Sequence, residues 1–131
     1  MEIPKILIVE DEKETRDNLN NFLLPRINCE ILEAENAYQA IEKIESTRVD
    51  LILLDINMPG ISGIEVIKKV NEISKDTAII VLTKLESSNL AEQIEQMGAM
   101  YIPKPFSMKI VYEEVKKKLE SVNKLSLKEG N

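Results

Sequence analysis

The sequence predicts an α/β fold: five parallel strands wound on both faces by helices. Three observations carry this. Short apolar runs recur without polar interruption, as in Ile6-Leu7-Ile8-Val9, Leu51-Ile52-Leu53-Leu54 and Ala78-Ile79-Ile80-Val81-Leu82. Such a run is a strand buried on both faces, the condition of a parallel sheet. Segments with apolar residues three and four apart alternate with these runs, as amphipathic helices do. Two of the runs end in acid, Glu10-Asp11 and Asp55, and open α/β sheets bind ligands at the carboxyl ends of their strands.

The elements follow in order. Residues 5–9 form the first strand. Residues 13–24 read as a helix with Leu19, Phe22 and Leu23 on one face. Pro25 stops it, because proline lacks the N–H that the next turn needs. Residues 29–34 form the second strand. Residues 36–45 are helical, turning Ala37, Ala40, Ile41 and Ile44 inward. Residues 51–54 form the third strand, and Asn57-Met58-Pro59-Gly60 breaks the chain after Asp55. Ser62 caps the next helix, with Glu65 three residues on completing a capping box. The inner face of that helix is Ile64, Ile67, Val70 and Ile73. Residues 78–82 form the fourth strand. Ser87 caps a helix that Gly98 ends. Residues 100–102 form a short fifth strand bounded by Pro103. Ser107 caps a last helix with Val111, Val115, Leu119 and Val122 at helical spacing. Residues 1–122 thus make one domain. Residues 123–131 are polar and aperiodic, and read as a frayed tail or the start of a linker.

Composition narrows the function classes. The chain has 131 residues, 44% of them hydrophobic, enough for one domain with a real core. Its net charge of −6 disfavours nucleic acid or an anionic membrane as a direct partner, since both select basic patches. No apolar run approaches the roughly 20 residues of a membrane span, and the N-terminus has no signal-peptide pattern. A cytoplasmic protein is expected. Cys29 is the sole cysteine, so no internal disulfide can form, and it reads as a small buried hydrophobe. Histidine is absent, which removes imidazole catalysis and imidazole metal ligands. Four glycines cannot build a Walker loop or a dinucleotide fingerprint.

The strand tips carry the chemistry. In the doubly wound order 2-1-3-4-5 the first and third strands are neighbours, which gathers Glu10, Asp11 and Asp55. Carboxylates about 4 Å apart repel by roughly 4 kcal/mol per pair at an effective dielectric near 20. Protonation or a bound cation relieves this, and an all-oxygen ligand set favours Mg²⁺. Thr83 ends the fourth strand with a hydroxyl, and Lys104 follows the fifth between Pro103 and Pro105. A nucleophilic carboxylate, a metal, a hydroxyl and a lysine together make a phosphoryl-transfer site, which needs positioning and charge neutralisation above all.

These segments resemble the receiver domain of two-component response regulators, over residues 4 to 122. Ile6-Leu7-Ile8-Val9-Glu10-Asp11-Glu12 resembles the acidic-pair segment, which is Asp-Asp or Glu-Asp in that family. Asp55-Ile56-Asn57-Met58-Pro59-Gly60-Ile61-Ser62-Gly63 resembles the phosphoacceptor segment. Val81-Leu82-Thr83 and Gly98-Ala99-Met100-Tyr101-Ile102-Pro103-Lys104-Pro105-Phe106 resemble the remaining two. The resemblance implies a flavodoxin-like fold and a phosphorylation-dependent switch. It implies that Asp55 accepts a phosphoryl group from the phosphohistidine of a sensor histidine kinase or histidine phosphotransfer protein. Glu10, Asp11, Asp55 and the backbone carbonyl of Asn57 would hold Mg²⁺, directly or through water. Thr83 would hydrogen-bond the phosphoryl group and Lys104 would pair with it. Tyr101 would turn inward as the switch aromatic, and the Lys104–Pro105 bond would be cis. The changed surface around residues 87–122 would then act on a downstream protein or output domain.

The sequence also departs from the family pattern. A small residue usually follows the switch hydroxyl, but here Lys84 does. It either shields the acyl phosphate or points to solvent. Leu85 cannot orient an attacking water, so a long-lived phosphorylated state is expected. Met100 stands where many receivers joined to winged-helix domains carry Asp. This argues against their charged dimer face, although a phosphorylation-dependent dimer stays open. Nothing past residue 122 resembles an output domain, so the chain is a stand-alone regulator or a receiver from a larger protein such as a hybrid kinase. Two rivals remain. A haloacid-dehalogenase-type phosphatase would place an acid where Asn57 stands and its paired acids late in the chain. A scaffold that has lost phosphorylation would keep the fold without the chemistry.

Overall fold

A computed structural model of the chain describes residues 3–58, 60, 62–84 and 88–128, the side chain of residue 88 aside. The elements run β1 (Lys5–Val9), α1 (Lys13–Leu23), β2 (Glu30–Ala34), α2 (Ala37–Ser46), β3 (Leu51–Leu54), α3 (Ile64–Ile73), β4 (Ala78–Thr83), α4 (Ser88–Gln96), β5 (Met100–Pro103) and α5 (Met108–Ser121). All strand pairs are parallel, in the order β2-β1-β3-β4-β5. The fold is therefore the flavodoxin-like doubly wound one expected.

Alternation along each buried strand divides the core into two layers. Leu7, Val9, Ile52, Leu54 and Val81 pack with Ala40, Ile44, Val66, Ile67 and Ile94 from α2, α3 and α4. Ile6, Ile8, Leu51, Leu53 and Ile80 pack with Leu19, Leu23, Val111, Val115 and Leu119 from α1 and α5. Each fully buried Leu or Ile contributes about 1.5–3 kcal/mol relative to exposure, which is why the apolar runs dictate the register. Cys29 is buried in the second layer, and burial pushes its thiol up to about 11. No helix among the described residues is long and apolar enough to cross a membrane.

Local signals set most helix ends. Asn36 caps α2 by accepting the Gln39 N–H at 2.9 Å, and Ser107 caps α5 by accepting the Ile110 N–H at 3.1 Å. Gly98 follows α4 at φ +81°, a left-handed value that disfavours side chains. Ser87 lies outside the described residues, as do Pro59, Ile61 and Leu85.

Four expectations are corrected. The capping box at α3 does not form. Ser62 Oγ accepts the Ile64 N–H at 3.1 Å, but Gly63 is the N-cap and Glu65 pairs with Lys68 at 3.4 Å. The start is fixed instead by close packing, since a Cβ on Gly63 would lie 2.6 Å from Ile56 Cα. Second, Ile73 is 45% exposed while Val66 is fully buried. At 3.6 residues per turn the stripe of 66, 67 and 70 continues at residue 74, the half-buried Ser74. Third, Val122 is 48% exposed, because α5 ends at Ser121 and the chain turns at Asn123, φ 57°.

Fourth, residues 123–128 are not frayed. Lys124 N–H returns to the Leu119 carbonyl at 2.8 Å, and its ammonium bonds Asp50. Asn28 N–H donates to the Ser126 carbonyl at 2.7 Å and Lys128 N–H to the Arg26 carbonyl at 2.9 Å. Ile27 and Leu127 form an antiparallel bridge, and Leu125 packs on the α1/α5 layer. A polar composition hid a segment that pairs through its backbone.

Candidate functional site

Sheet register builds the site. Val9 is opposite both Ala34 and Leu54, and Leu54 is opposite Val81. Residues just past these positions therefore emerge together at the carboxyl edge. Glu10 is 3% exposed and Asp55 is 5% exposed, while Asp11 faces solvent. One oxygen from each of the three carboxylates lies within 4.8 Å of the others.

Lys104 closes the cluster. Its Nζ lies 2.9 Å from Glu10 Oε1 and 3.2 Å from Asp55 Oδ2. Lys104 N–H also donates to the Thr83 carbonyl at 2.9 Å, tying the loop after β5 to the tip of β4. The Lys104–Pro105 peptide is cis. Asp55 Oδ1 accepts the Asn57 N–H at 2.9 Å, so both Asp55 oxygens have fixed partners. Asn57 Nδ2 donates to Thr83 Oγ1 at 2.8 Å and to the Lys84 carbonyl at 3.1 Å. Thr83 itself is fully buried.

The electrostatics follow from this crowding. Burial pushes Glu10 up to about 7; the Lys104 hydrogen bond opposes this, and Asp11 and Asp55 add to it. Burial alone would lower Lys104, but its bond to Glu10 and the charge of Asp55 outweigh that and hold it above its ordinary value. With all four groups ionised, three carboxylates and one ammonium leave a surplus of two negative charges. A hard divalent cation with oxygen preference fits that donor set and that charge.

The structure thus brings Glu10, Asp11, Asp55, Asn57, Thr83 and Lys104 to one point. Two expected residues stand off it. Tyr101 is half-buried in β5, opposite Val81, and packs on the α2–α4 layer. Lys84 is exposed and lines an open cleft with Glu12, Thr15, Lys104 and Phe106. One contribution escaped the sequence reading, which assigned Asn57 only through its carbonyl. Its side chain is the tie between the β3 and β4 tips. An amide two residues past Asp55 signals a donor, but nothing local names the acceptor.

The profile of the response regulator receiver domain family matches residues 6–116. The chain belongs to the response regulator receiver family. Among its relatives, the transcriptional regulatory protein ResD of Bacillus subtilis is 43% identical over 97% of this chain and 52% of ResD. The receiver thus spans about half of that relative. The sporulation initiation phosphotransferase F of the same organism is 32% identical over 88% of this chain and 93% of its own length. Among solved structures, the response regulator TrrA from Thermotoga maritima, in complex with Mg²⁺-BeF, is 38% identical with a TM-score of 0.77. It is matched over 89% of this chain and all of TrrA. As a receiver domain, the chain is a signalling module.

Proposed function

We propose that this receiver is a cytoplasmic phosphorylation switch whose phosphoacceptor is Asp55. The observation that carries this is the setting of Asp55. It is 5% exposed, oriented by the Asn57 N–H at 2.9 Å and by the Lys104 ammonium at 3.2 Å, with two further carboxylates beside it. A carboxylate so oriented is aimed for in-line attack.

The donor is a phosphohistidine on a sensor histidine kinase or a histidine phosphotransfer protein. A carboxylate oxygen of Asp55 bonds the phosphorus as the phosphorus–nitrogen bond breaks. The imidazole leaves with that electron pair and takes up a proton. Glu10, Asp11, Asp55 and the Asn57 carbonyl would hold Mg²⁺, directly or through water. When bound, the cation neutralises charge on the transferring oxygens. Lys104 exchanges its Asp55 contact for the phosphoryl group. Thr83 exchanges its Asn57 partner for a phosphoryl oxygen, and Tyr101 moves into the space this vacates. Such a local charge change biases a two-state element, here the surface around residues 87–122, which acts on a downstream protein or output domain.

Asn57 argues against phosphatase chemistry. Its amide donates to Thr83 and Lys84 and has no acidic proton for a leaving group. The deciding experiment is intact mass after incubation with acetyl phosphate and Mg²⁺, beside Asp55→Asn. One phosphoryl group on the wild type alone is expected. No adduct on a wild type shown to bind Mg²⁺ would favour a scaffold instead.

A further inference from the structure

Arg16 sits where the sequence pattern calls for an apolar residue. On α1 it shares a face with Leu19 and Leu23, each 1% exposed, and is itself 7% exposed. A guanidinium so placed is costly unless its donors are used. They are. Its NH1 donates to the Glu10 carbonyl at 2.7 Å. Its Nε donates to Glu33 Oε1 at 3.3 Å, and its NH2 pairs with Glu35 Oε1 at 3.6 Å. One side chain thus joins α1, the end of β2 and the exit of β1.

The Glu10 carbonyl is an informative anchor. It shares a rigid plane with the Asp11 nitrogen and Cα, so fixing it fixes the point from which the Asp11 side chain leaves the backbone. The neighbouring groups are held as well. Glu10 N–H donates to the Ala34 carbonyl at 3.0 Å, and Glu12 N–H donates to Glu10 Oε2 at 3.3 Å. Asp11 is the solvent-facing member of the acidic triad and has the most freedom to lose.

We propose that Arg16 is a positioning residue for the cation site, holding the Glu10–Asp11 peptide so that the Asp11 carboxylate meets those of Glu10 and Asp55. This rests on the reading that the triad binds Mg²⁺. Electrostatics and positioning predict opposite signs. Removing a positive charge near a cation site tightens binding, whereas releasing the peptide plane weakens it.

The test is calorimetric titration with Mg²⁺ of wild type, Arg16→Met and Arg16→Lys at about pH 8, where Glu10 is mostly ionised. Each protein is also melted in chelator. Arg16→Met keeps the bulk without the donors, and its Kd is expected to rise roughly tenfold, the lower end of the loss typical of groups that orient metal ligands. Arg16→Lys reaches the carbonyl with a single ammonium and falls between the two. A Kd in Arg16→Met that is unchanged or tighter, even with a lowered melting temperature, overturns the role and leaves the phosphoacceptor reading intact. Should Arg16→Met not fold, Arg16→Lys decides, and a wild-type Kd there overturns the proposal. A wild type that binds no Mg²⁺ overturns both readings.

Discussion

Proton and metal compete for Glu10, and the competition is measurable near neutral pH. The perturbation is pH itself, taken from 8 down to 6 around the value of about 7 to which burial pushes Glu10. Only the ionised carboxylate can ligate, so the apparent Kd for Mg²⁺ scales as one plus the ratio of protonated to ionised Glu10. That ratio is about 10 at pH 6 and about 0.1 at pH 8, so binding weakens about tenfold over the interval. Proton release follows the same curve, about 0.9 per Mg²⁺ at the acid end and about 0.1 at the alkaline end. Calorimetry in two buffers of different ionisation enthalpy reads both quantities. Glu10→Gln should bind more weakly but lose most of the slope. A Kd in wild type that is flat from pH 6 to 8 would refute the reasoning, and an equal slope in Glu10→Gln would move the proton elsewhere. The sign of the stability effect is opposite to that of an ordinary ion-paired carboxylate. Because the folded value lies above the ordinary 4.5, the folded state favours protonated Glu10. Its contribution is full below 4.5 and is lost as pH rises to about 7 in metal-free protein.

Three further outcomes are expected. Gly63→Ala puts a Cβ 2.6 Å from Ile56 Cα, a backbone overlap that should cost about 1–3 kcal/mol in denaturant unfolding and slow labelling of Asp55; an unshifted midpoint would sink the close-packing account. A chain stopped at Val122 loses the Lys124–Asp50 pair and the pairing of 126–128 with 26–28, and should be about 1–3 kcal/mol less stable; equal stability would show those contacts to be worth nothing in solution. Lys84→Ala should shorten the life of the acyl phosphate if Lys84 shields it, and a lifetime that is unchanged or longer, followed by intact mass after removal of acetyl phosphate, counts against shielding.

What proved legible was what neighbours in sequence decide. The strands at 5–9 and 51–54 fall where the apolar runs place them, because burial on both faces leaves no other pattern. The cap by Ser107 acts over three residues, so its partner is already in view. Parallel order follows from alternation, and it alone brings Glu10 and Asp55 together. The capping box at Ser62 failed because Gly63, pressed on Ile56, decided where α3 begins, a contact seven residues back in the chain.

The sequence by itself thus determined the layers, the strand order and the identity of the residues gathered at the carboxyl edge. Only the tertiary structure decided who bonds to whom there. Lys104 bridges Glu10 across 94 residues, Asn57 finds Thr83 across 26, and residues 126–128 find the backbone of 26–28. Nothing in the sequence singles out Arg16, whose three acceptors are gathered around it only by the fold. Periodicity is a property of one segment and survives in the sequence. A hydrogen bond is a property of two segments, and its partner is chosen only when the fold brings them within about 3 Å.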